Sequence, residues 1–163
     1  MKKLAIALLV IAILNSCKSE KETSSDKLTL MTLDPGHFHA SLIQKSMLPG
    51  IDSVCYVYAP KSLGVSAHLA LLNGYNIREE NPTSWKVESY INADFLEKML
   101  EEKPGNIVVL AGNNKRKTDY IHKSVSAALN VLSDKPMAIN KDGFNLLIDA
   151  FDVAKEKKVM LYD

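Results

Sequence analysis

The chain of 163 residues is 47% hydrophobic and 24% charged, which excludes a disordered or collagen-like polymer and fits a domain with a real core. Its 20 basic side chains against 19 acidic ones leave a net charge of +1, too weak a field to hold nucleic acid. One domain takes roughly 100–200 residues, so a two-domain enzyme is not expected in this length.

The N-terminus reads as an export leader. Lys2 and Lys3 precede eleven unbroken apolar residues, Leu4 to Leu14, and then Asn15-Ser16-Cys17. A positive end, a short apolar run and a small residue before the cut describe a signal peptide over residues 1–16. The apolar run is too short to span a bilayer, which takes about 20 residues. Leu14-Asn15-Ser16-Cys17 resembles a bacterial lipobox, and the resemblance implies that Cys17 is lipidated and becomes the new N-terminus. The protein is then expected in the cell envelope, held to a bacterial membrane on its periplasmic or surface side by acyl chains worth about 0.8 kcal/mol per buried CH₂. The alternative is a plain secretory signal with an incidental cysteine. Residues 17–27, polar from Lys18 onward, read as a flexible tether, and residues 28–163 as the folded domain. Loss of the leader removes two lysines and leaves 18 basic against 19 acidic side chains, a net charge of −1. With Cys17 acylated, Cys55 is the one remaining thiol, so no internal disulfide is expected; its apolar surroundings, Val54 to Tyr58, give it a packing role.

Strand-like and helical runs alternate through the domain. Leu28–Leu33 predicts a strand, Ala40–Leu48 a helix, Ser53–Tyr58 a strand and Ser66–Leu72 a helix. Gly74–Ser84, with Asn81-Pro82, predicts a loop; Arg78 and Trp85 border this irregular segment, and nothing decides between packing and ligand contact for them. Lys86–Tyr90 is the next strand. Asn92 is a cap for a helix carrying Phe95, Leu96, Met99 and Leu100, ended by Lys103-Pro104-Gly105. Ile107–Ala111 predicts a strand buried on both faces. Ile121, Val125, Ala128 and Leu129 predict a helix, and Val131-Leu132 a short strand. Asn140 caps a last helix with a stripe of Phe144, Leu147, Ile148 and Phe151, and Val159–Tyr162 closes as a sixth strand. Six strands separated by crossovers predict an α/β fold, a doubly wound, Rossmann-like parallel sheet with helices on both faces.

Such sheets bind ligands beyond the C-terminal strand ends. Three segments occupy those ends: Asp34-Pro35-Gly36-His37-Phe38-His39, Gly112-Asn113-Asn114-Lys115 and Ser133-Asp134-Lys135-Pro136. Pro35-Gly36 predicts an abrupt turn ahead of a helix whose free N–H groups suit a phosphate.

The third segment carries a resemblance. Asp134-Lys135-Pro136-Met137-Ala138 is similar to the Glu-Lys-Pro motif of the Gfo/Idh/MocA (glucose–fructose oxidoreductase-like) family. Asn114 stands twenty residues before Asp134, as does the Asn of that family's Thr-Pro-Asn segment, and the lead-in Ala127 to Leu132 also follows the pattern. The resemblance covers about residues 28–163. It implies NAD or NADP on the sheet, a sugar, polyol or related substrate beside it, and Lys135 near the nicotinamide assisting proton transfer. A cation there stabilises a developing alkoxide, and Pro136 fixes the backbone beyond it. The cofactor-binding residues so implied are Pro35, Gly36, His37, Phe38, His39, Gly112, Asn113, Asn114 and Asp134.

The chain departs from the family at the first turn, where only the middle glycine of Gly-x-Gly-x-x-Gly survives, as Gly36. Asp34 puts a negative charge where the diphosphate lies unless it points away or pairs with a nearby His or Lys, and His39 replaces the glycine of close helix–strand packing. The second strand ends in Tyr58-Ala59-Pro60-Lys61-Ser62, with no acid for a ribose hydroxyl; Lys61 and Ser62 lean toward the 2′-phosphate of NADP. His37 and His39 beside Asp34 form a His-x-His pair of the kind that ligates metal in some hydrolases, but only the fold of those hydrolases supplies the further ligands and the rest of this chain points elsewhere, so no metal is expected. His68 and His122 read as surface or packing residues. Family enzymes continue into a second, substrate-binding domain. That domain is expected to be absent here, leaving the chain inactive alone, with an exposed apolar patch that favours homo-oligomers. Two alternatives stay open: a non-catalytic exported domain that binds a nucleotide or sugar, and a glycosidase relative using bound NAD.

Overall fold

Alternating strand and helix signals build one parallel sheet in the computed structural model, which describes residues 27–163. The leader, Cys17 and the tether up to residue 26 lie outside the described residues. The strands are β1 (Leu30–Leu33), β2 (Val54–Ala59), β3 (Lys86–Ile91), β4 (Ile107–Leu110), β5 (Asn130–Ser133) and β6 (Leu161–Tyr162). They lie in the order β3-β2-β1-β4-β5-β6, each pair parallel. This is the expected doubly wound, Rossmann-like architecture. Among the described residues no helix is long and apolar enough to cross a membrane.

The helices are α1 (Leu63–Ile77), α2 (Phe95–Glu102), α3 (Asn114–Ser126) and α4 (Lys141–Lys157), with a 3₁₀ helix at Phe38–Gln44. Side chains alternate between the faces of a strand, so the central strands feed two cores. Met31, Leu33, Val108 and Leu110 pack with Leu96 and Met99 of α2, Tyr120, Ile121 and Val125 of α3, and Ala150 and Ala154 of α4. Leu30, Cys55 and Val109 take the opposite face with Leu72 of α1 and Ile43 of the 3₁₀ helix. Burial on both faces is why β4 reads as an unbroken apolar run and β1 as one broken only by Thr32.

Several expected boundaries move, each for a local reason. The helix expected over Ala40–Leu48 is a 3₁₀ helix over Phe38–Gln44, in which the Ser41 hydroxyl donates to the Phe38 carbonyl at 2.9 Å. The expected loop Gly74–Ser84 begins only at Arg78, because α1 runs on to Ile77 and buries Tyr75 against the Trp85 cluster. The rest of that segment is packing. The Asn76 side chain accepts from the Trp85 amide at 2.9 Å and donates to its carbonyl at 2.9 Å, while the indole N–H donates to the Gln44 carbonyl at 2.6 Å. Arg78 likewise donates to the Lys45 and Asn81 carbonyls. Asn92 bonds the next amide, Ala93, instead of capping α2, which starts three residues later. Ala128 and Leu129 lie beyond α3, where Ala128 turns left-handed at φ 61°.

The largest change concerns α4. Asn140 caps it as expected, accepting from the Gly143 amide at 2.8 Å. The helix nevertheless buries Ala150 and Ala154, with Leu147 and Val153 half-buried, and leaves Phe144, Ile148 and Phe151 57%, 49% and 47% exposed. Small alanines let α4 lie close to α3, and that docking turns the aromatic stripe outward.

Candidate functional site

The site begins where the chain reverses its winding, between β1 and β4. The loops after these two strands leave toward opposite faces and open a crevice between them. They touch backbone to backbone at Gly36 and Gly112. A Cβ on Gly112 would stand 2.4 Å from the Gly36 nitrogen, and Gly112 has a φ of 112°. The Gly36 and His37 amides both donate to the Ala111 carbonyl, at 3.0 and 3.2 Å. These two amides therefore bind the neighbouring loop and are not free for a phosphate.

Asp34 takes one of the two arrangements open to it, pointing away from the cleft. Its carboxylate is buried and turned inward, accepting from the Asn113 side-chain amide at 2.6 Å and the Tyr120 hydroxyl at 2.9 Å. Burial and this carboxylate push the Tyr120 hydroxyl well above the usual tyrosine range. Its charge ties the β1 loop to the start of α3. Asn113, at φ 40°, spends its side chain on that tie and makes no helix cap with it.

A cleft of about 390 Å³ lies over this crossing, lined by Gly36, His37, His39, Gly112, Asn113, Asn114, Asp134 and Lys135. Two of the expected residues fall outside it. Pro35 is buried, its carbonyl against Gly64 at the start of α1, and Phe38 lines a separate small cavity with Gly64 and His68. A larger concavity of about 490 Å³, lined by Tyr56, Tyr58, Tyr90 and Glu102, sits on the sheet face beside α2. It draws on none of the loops after β1, β4 and β5, and its Tyr58 hydroxyl is committed to Glu102 at 2.6 Å.

Lys135 stands at the rim of the cleft with an exposed side chain, and the Lys135–Pro136 peptide is cis. Its backbone is clamped from α3 by two residues that no motif announced. Lys117, fully buried, donates from Nζ to the Asp134 carbonyl at 2.8 Å, and the Thr118 hydroxyl donates to the Met137 carbonyl at 2.6 Å. Burial holds the Lys117 ammonium below its usual pKa. A lysine one residue before a threonine on a polar helix carries no local signal of this role. The Asp134 carboxylate faces His39 Nδ1 at 3.2 Å and His37 Nδ1 at 3.7 Å.

The remaining titratable candidates are structural. His68 is buried on α1, and desolvation lowers its pKa to about 4. His122 pairs with Asp149 at 2.6 Å on the outside of α3. Burial pushes the Cys55 thiol up to about 12, as a packing role requires.

No model of a known protein family matches the chain, and no curated protein matches it. Solved structures do. A candidate oxidoreductase from Parabacteroides merdae ATCC 43184 is 53% identical, over 85% of this chain and 31% of its own, with a TM-score of 0.83. Biliverdin reductase from Synechocystis sp. PCC 6803, solved with biliverdin and NADP+, is 11% identical over 83% of this chain and 37% of its own, with a TM-score of 0.59. The WlbA dehydrogenase from Bordetella pertussis, solved with NADH and UDP-GlcNAcA, is 18% identical over 85% and 35%, with a TM-score of 0.51. The chain thus spans about a third of the length of the solved structures it matches. The two distant matches share its Rossmann-like fold.

Proposed function

We propose that this chain is the dinucleotide-binding unit of an oxidoreductase of the Gfo/Idh/MocA type, with NAD or NADP lying across the β1–β4 cleft. The observation that carries the reading is the Gly36–Gly112 crossing at the switch point with Lys135 at its rim. The 53% identity to a candidate oxidoreductase supports it.

The residues present fit such a cofactor. Asp34 is turned away from the cleft, so no carboxylate of the β1 turn opposes a diphosphate. The N-terminus of α3 opens onto the cleft at Asn114; the Arg116 and Lys117 amides donate to the Asn113 carbonyl, which leaves the Asn114 and Lys115 amides for a ligand. Gly36, Gly112 and Asn114 would hold the cofactor, and Lys61, exposed after β2, favours NADP. The Ser62 hydroxyl is already the N-cap of α1, accepting from the Val65 amide at 3.2 Å, so Lys61 alone keeps the lean toward a 2′-phosphate.

Bound nicotinamide would accept hydride from a carbinol carbon or donate it to the corresponding carbonyl carbon. The Lys135 ammonium would donate a hydrogen bond to the substrate oxygen and stabilise the alkoxide as the hydroxyl proton passes to solvent water. Lys117 and Thr118 are positioning residues, fixing the backbone on either side of that lysine. The substrate class that suits this chemistry is a sugar, polyol or related alcohol. Lipidation at Cys17 places the protein in the cell envelope, so Cys17→Ser should release it from the membrane fraction; undiminished membrane association would contradict the anchor.

Titration of the purified protein with NADPH and NADH, followed by nicotinamide fluorescence, tests the reading. Saturable binding at one site is expected, with NADPH at least as tight. A folded protein that binds neither at millimolar concentration overturns it.

A further inference from the structure

We infer that His37, His39 and Asp134 form a binding site for a divalent transition-metal ion of the zinc type, open toward the cleft. In sequence the two histidines lie beside Asp34. In the fold Asp34 turns inward, and Asp134 from the loop after β5 takes its place. One ligand atom from each of the three residues lies within 4.8 Å of the others.

The spacing is that of ligands around an ion. His37 Nδ1 and Asp134 Oδ2 are 3.7 Å apart, too far for a hydrogen bond, and His39 Nδ1 stands at 3.2 Å from the same oxygen. Bonds of about 2.0–2.1 Å in a tetrahedron set neighbouring ligand atoms about 3.3 Å apart. Both distances bracket that edge.

The ligands are also held in place. The His37 and His39 rings meet edge-on with centroids 4.3 Å apart, and Phe38 packs on them at 4.6 and 4.4 Å. The Asp134 main chain is pinned on both sides, its amide on the Leu110 carbonyl at 2.7 Å and its carbonyl on Lys117 Nζ at 2.8 Å. Side-chain exposures of 46%, 35% and 19% for His37, His39 and Asp134 leave ion and solvent a way in. Two imidazoles and one carboxylate select zinc and its first-row neighbours over the all-oxygen shells of calcium or magnesium. Three protein ligands leave at least one coordination position for water or a substrate oxygen, beside Lys135.

The test titrates the untagged, chelator-stripped full chain with Zn²⁺ by calorimetry and with Co²⁺ by visible absorption, with no dinucleotide present. One equivalent should bind, with cobalt d–d bands, and a tenfold excess of Mg²⁺ should not displace it. His39→Ala and Asp134→Asn should each weaken binding at least tenfold while circular dichroism and the melting temperature stay those of the parent. Absence of saturable binding overturns the site, as does full-affinity binding by a folded His37→Ala/His39→Ala variant. Because no dinucleotide is present, a chain that takes zinc but no NADPH keeps this site and loses the proposed function, and the converse result does the opposite.

Discussion

Gly112 bears more of the site's geometry than Gly36, the glycine that the resemblance singles out. A methyl on Gly112 would meet Gly36 backbone atoms at 2.4–2.7 Å and sit at a φ of 112°, whereas one on Gly36 would meet the facing loop at 3.3–3.4 Å. Gly112→Ala should therefore cost about 3 kcal/mol and Gly36→Ala under about 1 kcal/mol. Thermal denaturation of the two variants checks the order, and equal losses would contradict it. His68 gives a residue-scale pH dependence. The unfolded chain protonates it near 6.5 and the folded chain only near 4, so the unfolded state holds more protons between those values. Its contribution is intact above pH 6.5 and is lost as pH falls toward 4, by about 3 kcal/mol in all. His68→Leu should flatten the fall in melting temperature across that window; an unchanged slope would assign the acid sensitivity elsewhere. At this scale the sequence was least legible. Asp34 meets Tyr120 across 86 positions and Asn113 across 79, and no local pattern announces such partners.

At the scale of elements, periodicity was readable but the side that finds a partner was not. The stripe on α4 has the spacing of a core face, yet the helix docks through Ala150 and Ala154. Phe151→Ser should then change stability by less than about 1 kcal/mol, whereas Ala150→Leu, which overfills a closed contact, should cost about 1–3 kcal/mol. Denaturant midpoints decide between this arrangement and the one the stripe suggested, which predicts the reverse. The strands were legible because β1 and β4 are mostly apolar and buried on both faces, and the start of α4 because Asn140 bonds its first turn. Helix ends were less so. The stop of α1 and the 3₁₀ form of Phe38–Gln44 depend on Trp85 and Ser41 contacts that periodicity does not report.

For the whole molecule, the sheet order β3-β2-β1-β4-β5-β6 follows from alternating strands and crossovers, and it alone brings three separate segments to one cleft. The cleft's membership was largely readable, since strand ends of a doubly wound sheet converge there. Its clamp, Lys117 and Thr118 on Asp134 and Met137, was not, because it depends on which face of α3 packs inward. The central claim is that a dinucleotide occupies this cleft and no other. The most direct measurement is amide chemical-shift mapping of the labelled protein during titration with NADP+. Shifts centred on Gly36, Gly112, Asn114 and Lys135 are predicted; shifts centred instead on Tyr56, Tyr90 and Glu102, or none at saturating concentration, would contradict the account.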